Sequence, residues 1–256
     1  MIHTFVFSPT GGTQKALTAV AGGFSSPAVQ HDLCDRHADF SSIKIFQEDQ
    51  CVFAVPSFGG RVPAPAAERI AAVQGNGATA AAIVVYGNRD YDDTFAELQD
   101  LLERCGFRVK AGAAVIAEHS IVHDIAAGRP DEADQAELKS FGVIIQQVMD
   151  VPDQELHIRL PGNRPYKPFH GVPLRPKAGE ECTRCGLCAE KCPVGAIPIK
   201  DPSATEKERC ISCMRCIAVC PVGARSVPAA MVTATKLKIG EACAGRKKNQ
   251  LFLPEK

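Results

Sequence analysis

The first 150 residues alternate short apolar runs with longer amphipathic stretches. A run of β-branched, aromatic and apolar residues predicts a buried strand over 2–7, and further strands are predicted over 28–33, 51–55, 80–86 and 113–117. Amphipathic helices are predicted between or after them, over 14–21, 65–73, 94–105 and 131–149. Strands that alternate with helices are typical of a parallel, doubly wound sheet. We therefore predict an α/β domain built on a five-stranded parallel sheet.

Three loops follow predicted strands at the carboxyl edge of this sheet, where doubly wound folds bind their ligands. They are 8–13 (SPTGGT), 56–63 (PSFGGRVP) and 87–93 (GNRDYDD). Each loop alone is a weak signal, because glycine-rich turns are common. Their joint placement around one crevice indicates a binding site.

The first loop predicts an anion site. Its glycines let backbone N–H groups approach a ligand, its hydroxyls donate, and the helix that follows offers its N-terminus. No lysine stands in P-loop register, which favours a single phosphate bound without a metal over a nucleoside triphosphate. The alternative is an ordinary N-cap turn, which serine and threonine often form.

The second and third loops are suited to a flat ring. The glycines of PSFGG allow close backbone approach to a ring edge, and Tyr86 and Tyr91 offer faces for stacking. The segment 75–80 matches G-x-G-x-x-A, but it leads into a strand instead of following one. No dinucleotide site is therefore predicted.

Two identical cysteine runs, C-x2-C-x2-C-x3-C-P, occupy 182–193 and 210–221. They resemble the run by which small bacterial ferredoxins hold 4Fe-4S clusters, in which the fourth cysteine of each run binds the other cluster. Disulfides and structural zinc are poorer interpretations, because disulfides need an oxidising compartment and zinc sites usually pair two C-x2-C units. The resemblance implies two clusters, one held by Cys182, Cys185, Cys188 and Cys220, the other by Cys210, Cys213, Cys216 and Cys192.

The loops and the runs together resemble a known family. SPTGGT is similar to the phosphate loop of flavodoxins, PSFGG and YGNRDYD resemble the loops that enclose their FMN ring, and the whole chain looks like a flavodoxin-ferredoxin fusion protein. The resemblance implies that the FMN phosphate is held by Ser8, Thr10, Gly11, Gly12 and Thr13. It also implies that the ring is bordered on one side by Ser57, Phe58, Gly59 and Gly60, and on the other by Gly87, Asn88, Arg89 and Tyr91.

One departure from the flavodoxin pattern concerns the faces of the ring. Flavodoxins often stack a tryptophan there, and this chain has none. Either Phe58 or Tyr91 must stack on the ring in place of tryptophan, or one ring face stays open to a substrate or to the ferredoxin domain. His119 falls at the same rim, where a histidine would donate to the flavin or protonate a substrate, although a solvated loop residue is the commoner case.

The charge distribution indicates two domains. Residues 1–150 carry 11 Lys and Arg against 19 Asp and Glu, a net charge of −8, whereas residues 151–256 carry 18 against 10, a net charge of +8. We predict a flavodoxin-like FMN domain over 1–155, a proline-rich connector over 156–176, a small α+β two-cluster ferredoxin domain over 177–230, and a helix and tail over 231–256, with a surface helix at 232–246.

Two apolar groups outside these domains are expected to dock on the rest of the protein. They are Tyr166 and Phe169 in the connector, and Leu251, Phe252 and Leu253 in the tail, for which the flavin domain is a candidate surface.

These features predict an electron-transfer flavoprotein that relays electrons between two 4Fe-4S clusters and FMN, with a redox protein as donor or acceptor. The alternative is an FMN-dependent oxidoreductase, in which the clusters feed the flavin to reduce a small molecule. A non-redox interpretation, zinc together with another phosphate compound, predicts a colourless protein. No membrane span or signal pattern is present, so a cytoplasmic protein is expected. Scattered basic residues disfavour nucleic acid as a partner.

Overall fold

The computed structural model describes residues 1–151 and 158–254. Its main sheet contains five parallel strands in the order β2-β1-β3-β4-β5, which is the flavodoxin-like order of doubly wound folds. The prediction of a parallel α/β sheet is confirmed. The strands are β1 (Ile2–Val6), β2 (Ala28–Asp32), β3 (Gln50–Pro56), β4 (Thr79–Tyr86) and β5 (Arg108–Ile116).

Helices cover both faces of this sheet. Successive side chains of a strand point to opposite faces, so Phe5 joins the core beneath α2 and α3, whereas Val6 joins the core beneath α1 and α4. Both side chains are fully buried, as expected for central strands of a parallel sheet. The helices are α1 (Gly12–Ala21), α2 (Ala64–Ala71), α3 (Thr94–Arg104) and α4 (Glu132–Asp150), with a short 3-10 turn at Phe40–Ser42.

A sixth strand, β8 (Gln250–Phe252), comes from the C-terminal tail and pairs antiparallel with β5. The Phe252 ring packs edge-on against Phe95, with the centroids 5.3 Å apart. Docking of the apolar tail on the flavodoxin-like domain is thus confirmed, and the tail adds an antiparallel strand beside the five predicted parallel ones. Pairing covers the exposed edge of β5, which would otherwise present unpaired backbone groups.

The connector also packs on the flavodoxin-like domain. The Tyr166 hydroxyl donates to Asp100, and its ring lies under the Arg61 guanidinium at 4.9 Å. Phe169 lies against the backbone of Gly59. The predicted docking of Tyr166 and Phe169 is confirmed, and the described part of the connector, 158–176, contains no helix.

The cysteine-rich segment forms a small unit of its own. Strands β6 (Lys177–Ala178) and β7 (Arg225–Ser226) pair antiparallel, and the helices α5 (Leu187–Glu190) and α6 (Arg215–Ala218) lie between them in the chain. An exposed helix, α7 (Ala229–Ile239), follows. Both ends of this helix lie earlier than the predicted 232–246. Pro228 is its N-cap residue and has a φ of −52°, within the helical range, and the chain turns at Gly240 to return to the sheet. Within the described ranges, no helix has the length and apolar character needed to cross a bilayer.

Candidate functional site

Two cavities in the cysteine-rich unit are each surrounded by four cysteines. The first cysteine cavity is lined by Cys182, Cys185, Cys188 and Cys220. The second cysteine cavity is lined by Cys192, Cys210, Cys213 and Cys216. The fold therefore groups three cysteines of each run with the fourth cysteine of the other, the same two sets that the ferredoxin resemblance implies.

The same local backbone produces both sets. The residues that flank the second cysteine of each run have left-handed backbone conformations, at Arg184 and Gly186 in the first run and at Ser212 and Met214 in the second. These turns wrap the first three cysteines around a cavity. The short helices α5 and α6 then carry the fourth cysteine away toward the other set.

A tight turn follows the fourth cysteine in each run, with the sequence C-P-V-G-A. In the first run the Ala196 N–H donates to Cys192 Sγ at 3.2 Å, and in the second the Ala224 N–H donates to Cys220 Sγ at 3.3 Å. Such bonds stabilise negative charge on sulfur and are one of the features that tune cluster potentials.

The electrostatics of these thiols fit a bound metal cluster. Burial raises the pKa of Cys213, and it raises the pKa of Cys216 to about 11 although the nearby Arg225 acts in the opposite direction. Burial also acts to raise the pKa of Cys220, but backbone N–H donors from Val222 onward outweigh it and lower that pKa. The thiols of Cys213 and Cys216 would therefore keep their protons at neutral pH unless a cation such as iron took their place. All eight are free of disulfides.

A cleft lies at the carboxyl edge of the main sheet, with about 510 Å³ of space including its open mouth. All three predicted loops contribute to its wall, and the loop after β5 adds a fourth side. The predicted site residues that line it are Thr10, Gly12, Thr13, Ser57, Phe58 and Gly87.

The first loop has the backbone of an anion cradle. Gly11 precedes α1 with a φ of +94°, and a side chain added there would meet no protein atom within 4 Å. The Gln14 N–H donates to Ser8 Oγ at 2.9 Å, so this hydroxyl closes the first turn of α1 from within the loop. The first turn of α1 carries no acidic residue, which leaves its positive dipole end available to an anion. The loop therefore fits a phosphate group.

The second loop is a tight turn in which Phe58 and Arg61 exchange backbone hydrogen bonds. Gly59 and Gly60 both have positive φ, and a side chain at Gly60 would overlap with Asp92. Neither glycine lines the cleft itself. The turn presents the ring of Phe58 to the cleft.

Several predicted residues of the third loop direct their side chains elsewhere. Asn88 is buried and its Nδ2 donates to the backbone of the C-terminal segment, to Cys243 O at 2.6 Å and Gly245 O at 2.8 Å. Arg89 pairs with Asp92. The Tyr91 hydroxyl donates to Gln250 Oε1 at 3.2 Å, and Tyr86, not Tyr91, lines the cleft.

His119 lines the cleft and has a defined tautomer when neutral. Its Nδ1 accepts hydrogen bonds from the backbone N–H groups of Ile121 at 3.2 Å and Val122 at 3.1 Å, so the ring proton must reside on Nε2. Burial lowers the pKa of His119, and the nearby His123 lowers it further. The side chain is therefore a neutral donor at neutral pH.

Hydrogen bonds connect the cysteine-rich unit to this edge of the sheet. Arg215 Nη1 donates to Ser8 O in the first loop at 3.1 Å. In the other direction, Arg36 Nη1 donates to Cys192 O at 2.9 Å, and Arg69 donates to the adjacent Pro193 O. As a result, Cys213 lines both the second cysteine cavity and the cleft.

Comparison with family models gives one match, a 4Fe-4S dicluster domain over residues 181–224. The strand order β2-β1-β3-β4-β5 identifies the preceding domain as flavodoxin-like. The chain joins a flavodoxin-like domain to a 4Fe-4S dicluster domain. This combination indicates a role in electron transfer or oxidoreduction with iron-sulfur and flavin chemistry.

Solved structures resemble the flavodoxin-like domain at low identity. Rubredoxin oxygen:oxidoreductase from the anaerobe Desulfovibrio gigas is 15% identical with a TM-score of 0.42, and the match covers 58% of this chain and 35% of that one. The two-electron reduced flavodoxin of Megasphaera elsdenii is 14% identical with a TM-score of 0.38, covering 57% and 99%. A flavodoxin, WrbA-like protein from Agrobacterium tumefaciens is 14% identical with a TM-score of 0.39, covering 58% and 96%. No curated protein sequence matches the chain.

Proposed function

We propose that this chain is an electron-transfer flavoprotein that relays electrons between two 4Fe-4S clusters and a bound FMN. The observation that carries the proposal is the position of Cys213, which lines both the second cysteine cavity and the cleft. Cofactors held in these two sites would share one wall. Iron-sulfur clusters carry single electrons and a flavin carries one or two, so such a pair connects one-electron and two-electron partners.

We assign the FMN phosphate to the first loop and the ring to the space between the second and third loops. The open backbone at Gly11 and the dipole of α1 support the phosphate site. Phe58 and Tyr86 supply aromatic faces in the cleft, which lacks a tryptophan. His119 presents Nε2–H as a neutral donor for an acceptor atom of the ring.

The two cysteine cavities differ in their access to partners. The second lies beside the cleft, whereas the first reaches the surface at Cys185, which is exposed, and at Val222, which is 47% exposed. We infer that a redox partner protein docks at the first cavity. The excess of basic residues in the second half of the chain would steer an acidic partner toward it.

A second candidate function is an FMN-dependent oxidoreductase that reduces a small molecule. It is favoured by a groove of about 1,150 Å³, including open space, beside the cleft. Phe58 lines both the cleft and the groove, and Cys210 lines both the groove and the second cysteine cavity. A small molecule bound there would border both proposed redox sites.

Anaerobic purification followed by chemical analysis tests the proposal. We expect about eight iron and eight sulfide ions and one FMN per chain. Bound zinc, or the absence of a yellow nucleotide after denaturation, would refute it. Cys213→Ala should slow reduction of the flavin by a one-electron reductant, whereas Cys105→Ala, a half-buried cysteine outside both runs, should not.

Mixing experiments without oxygen separate the two functions. The protein should be tested with NADH, NADPH, quinones and a reduced low-potential ferredoxin. A carrier exchanges electrons with the protein partner alone. Steady turnover of a small molecule, lost on replacing Phe58 at the wall of the groove, would favour the oxidoreductase.

A further inference from the structure

The largest completely buried side chain of the dicluster domain is a cation. Arg225, the first residue of β7, is 2% exposed. Arginine is almost never found at this depth without a partner of opposite charge. Removing a guanidinium from water is costly unless its charge is compensated.

The hydrogen-bond partners of Arg225 are all uncharged. Nη1 donates to Thr205 Oγ1 at 2.9 Å and to Pro176 O at 3.5 Å, while Nη2 donates to Ala204 O at 2.9 Å and to Pro202 O. The buried Nε–H has no acceptor among the residues that the structure describes. Within the same residues, no ion pair includes Arg225. The described residues around Arg225 thus supply dipoles but no counter-charge.

The position of Arg225 shows where the counter-charge would come from. Its side chain lines the first cysteine cavity beside Cys220. Two of its hydrogen-bond partners, Pro176 and Thr205, line the second cysteine cavity. One buried guanidinium therefore serves both cavities from inside the domain.

We propose that Arg225 is the internal counter-ion of both 4Fe-4S clusters and raises their reduction potentials. This inference rests on the proposed function, since it requires clusters in the two cavities. A cubane held by four thiolates is an anion, and one-electron reduction adds a further negative charge without a proton. A fixed positive charge in a low-dielectric interior stabilises the reduced form more than the oxidised form. The Nε–H, which has no acceptor among the described residues, would be the donor available to a cluster.

A purely structural role is the competing explanation. The four acceptors of Arg225 lie in two separate segments, 176 and 202–205, which the guanidinium ties to β7. Loss of these bonds would loosen the domain whether or not the charge matters. Substitutions that separate charge from hydrogen-bond geometry distinguish the two explanations.

The test is a potentiometric titration of the anaerobic holoprotein, with the reduced clusters followed by EPR. Arg225→Gln removes the charge and keeps some hydrogen bonding, and we expect both cluster potentials to become more negative. Arg225→Lys keeps the charge, and we expect a much smaller shift. Arg209→Gln is the control, because Arg209 is a cation of the same domain whose side chain is 56% exposed.

Several outcomes would overturn the inference. Arg225→Gln protein with full iron and sulfide and unchanged potentials would exclude the counter-ion role. Equal shifts in the lysine and glutamine variants would assign the effect to geometry, and failure of both variants to hold clusters would assign Arg225 to folding alone. If glutamine fails to hold clusters while lysine holds them, the need for charge is supported. If the wild-type protein contained no iron and sulfide, the proposed function itself would be refuted. The iron and sulfide analysis detects that failure independently of the potentials.

Discussion

Asp134 joins the segment before α4 to the distant C-terminal tail, and its removal should be costly. Its carboxylate accepts from Arg129 Nε at 2.8 Å and Nη2 at 2.6 Å, and both side chains are almost fully buried. It also accepts from the Asp131 N–H at 3.0 Å within the capping box of α4. Asn249 Nδ2, just before β8, donates to it at 3.1 Å. The backbone of Arg129 in turn accepts from the Glu118 N–H at the cleft rim.

The size of the effect follows from the charge that Asp134→Ala would leave behind. Arg129 would remain buried without its partner, and breaking a buried ion pair in this way typically costs about 3–5 kcal/mol of folding free energy. We expect Asp134→Ala to lower the free energy of unfolding by that amount. We also expect weaker FMN binding, because the Glu118 loop loses its support.

Urea unfolding followed by circular dichroism measures the first effect, and quenching of FMN fluorescence measures the second. Asp124→Ala is the matched control. Asp124 pairs with Lys236, but both side chains are more than half exposed, and exposed pairs contribute little. Equal unfolding free energies for the two variants would refute the reasoning.

The same network predicts a pH dependence. Burial acts to raise the pKa of Asp134, but hydrogen bonds from Arg129 and the Asp131 N–H outweigh it, so the pKa lies below its ordinary value. The stabilisation is therefore complete above the ordinary aspartate pKa of about 3.9 and is lost as the pH falls through the lower folded value. Asp134→Asn should remove this part of the acid sensitivity.

Three further predictions concern the cysteines, the cleft and the tail. Cys220→Ala should lose the same cluster as Cys185→Ala and give the same EPR spectrum, and different spectra would contradict the crossed sets. Gly87→Ala would place a methyl group 2.5 Å from Cδ2 of His119, so FMN affinity should fall, and unchanged affinity would exclude His119 from ring binding. Phe252→Ala should destabilise the main sheet in thermal unfolding by less than the ~3–5 kcal/mol of a fully buried phenylalanine, and an unchanged melting temperature would show that the tail contributes nothing.

Local patterns carried the predictions that the structure confirms. The central strands β3 and β4 are nearly continuous apolar runs, since strands covered on both faces have no polar side to display, whereas β2 at the edge of the sheet is partly polar and exposed. Each left-handed turn around Cys185 and Cys213 is set within a few residues, so the spacing of the first three cysteines is readable from the chain alone. The first loop likewise joins a strand directly to a helix, β1 to α1.

The amino-acid sequence by itself thus determined the sheet, the loops at its edge and the doubled cysteine run, because each depends on neighbours in the chain. Tertiary structure alone decided that Gln250–Phe252 completes the sheet, that Asn88 and Tyr91 turn toward the returning tail, that Cys213 borders the cleft, and that Arg225 is buried. Most of these contacts join residues more than 100 positions apart. Such contacts produce no periodic pattern of apolar residues in the sequence. A three-residue edge strand is too short to show one, and a buried arginine cannot be told from an exposed one by residue type alone.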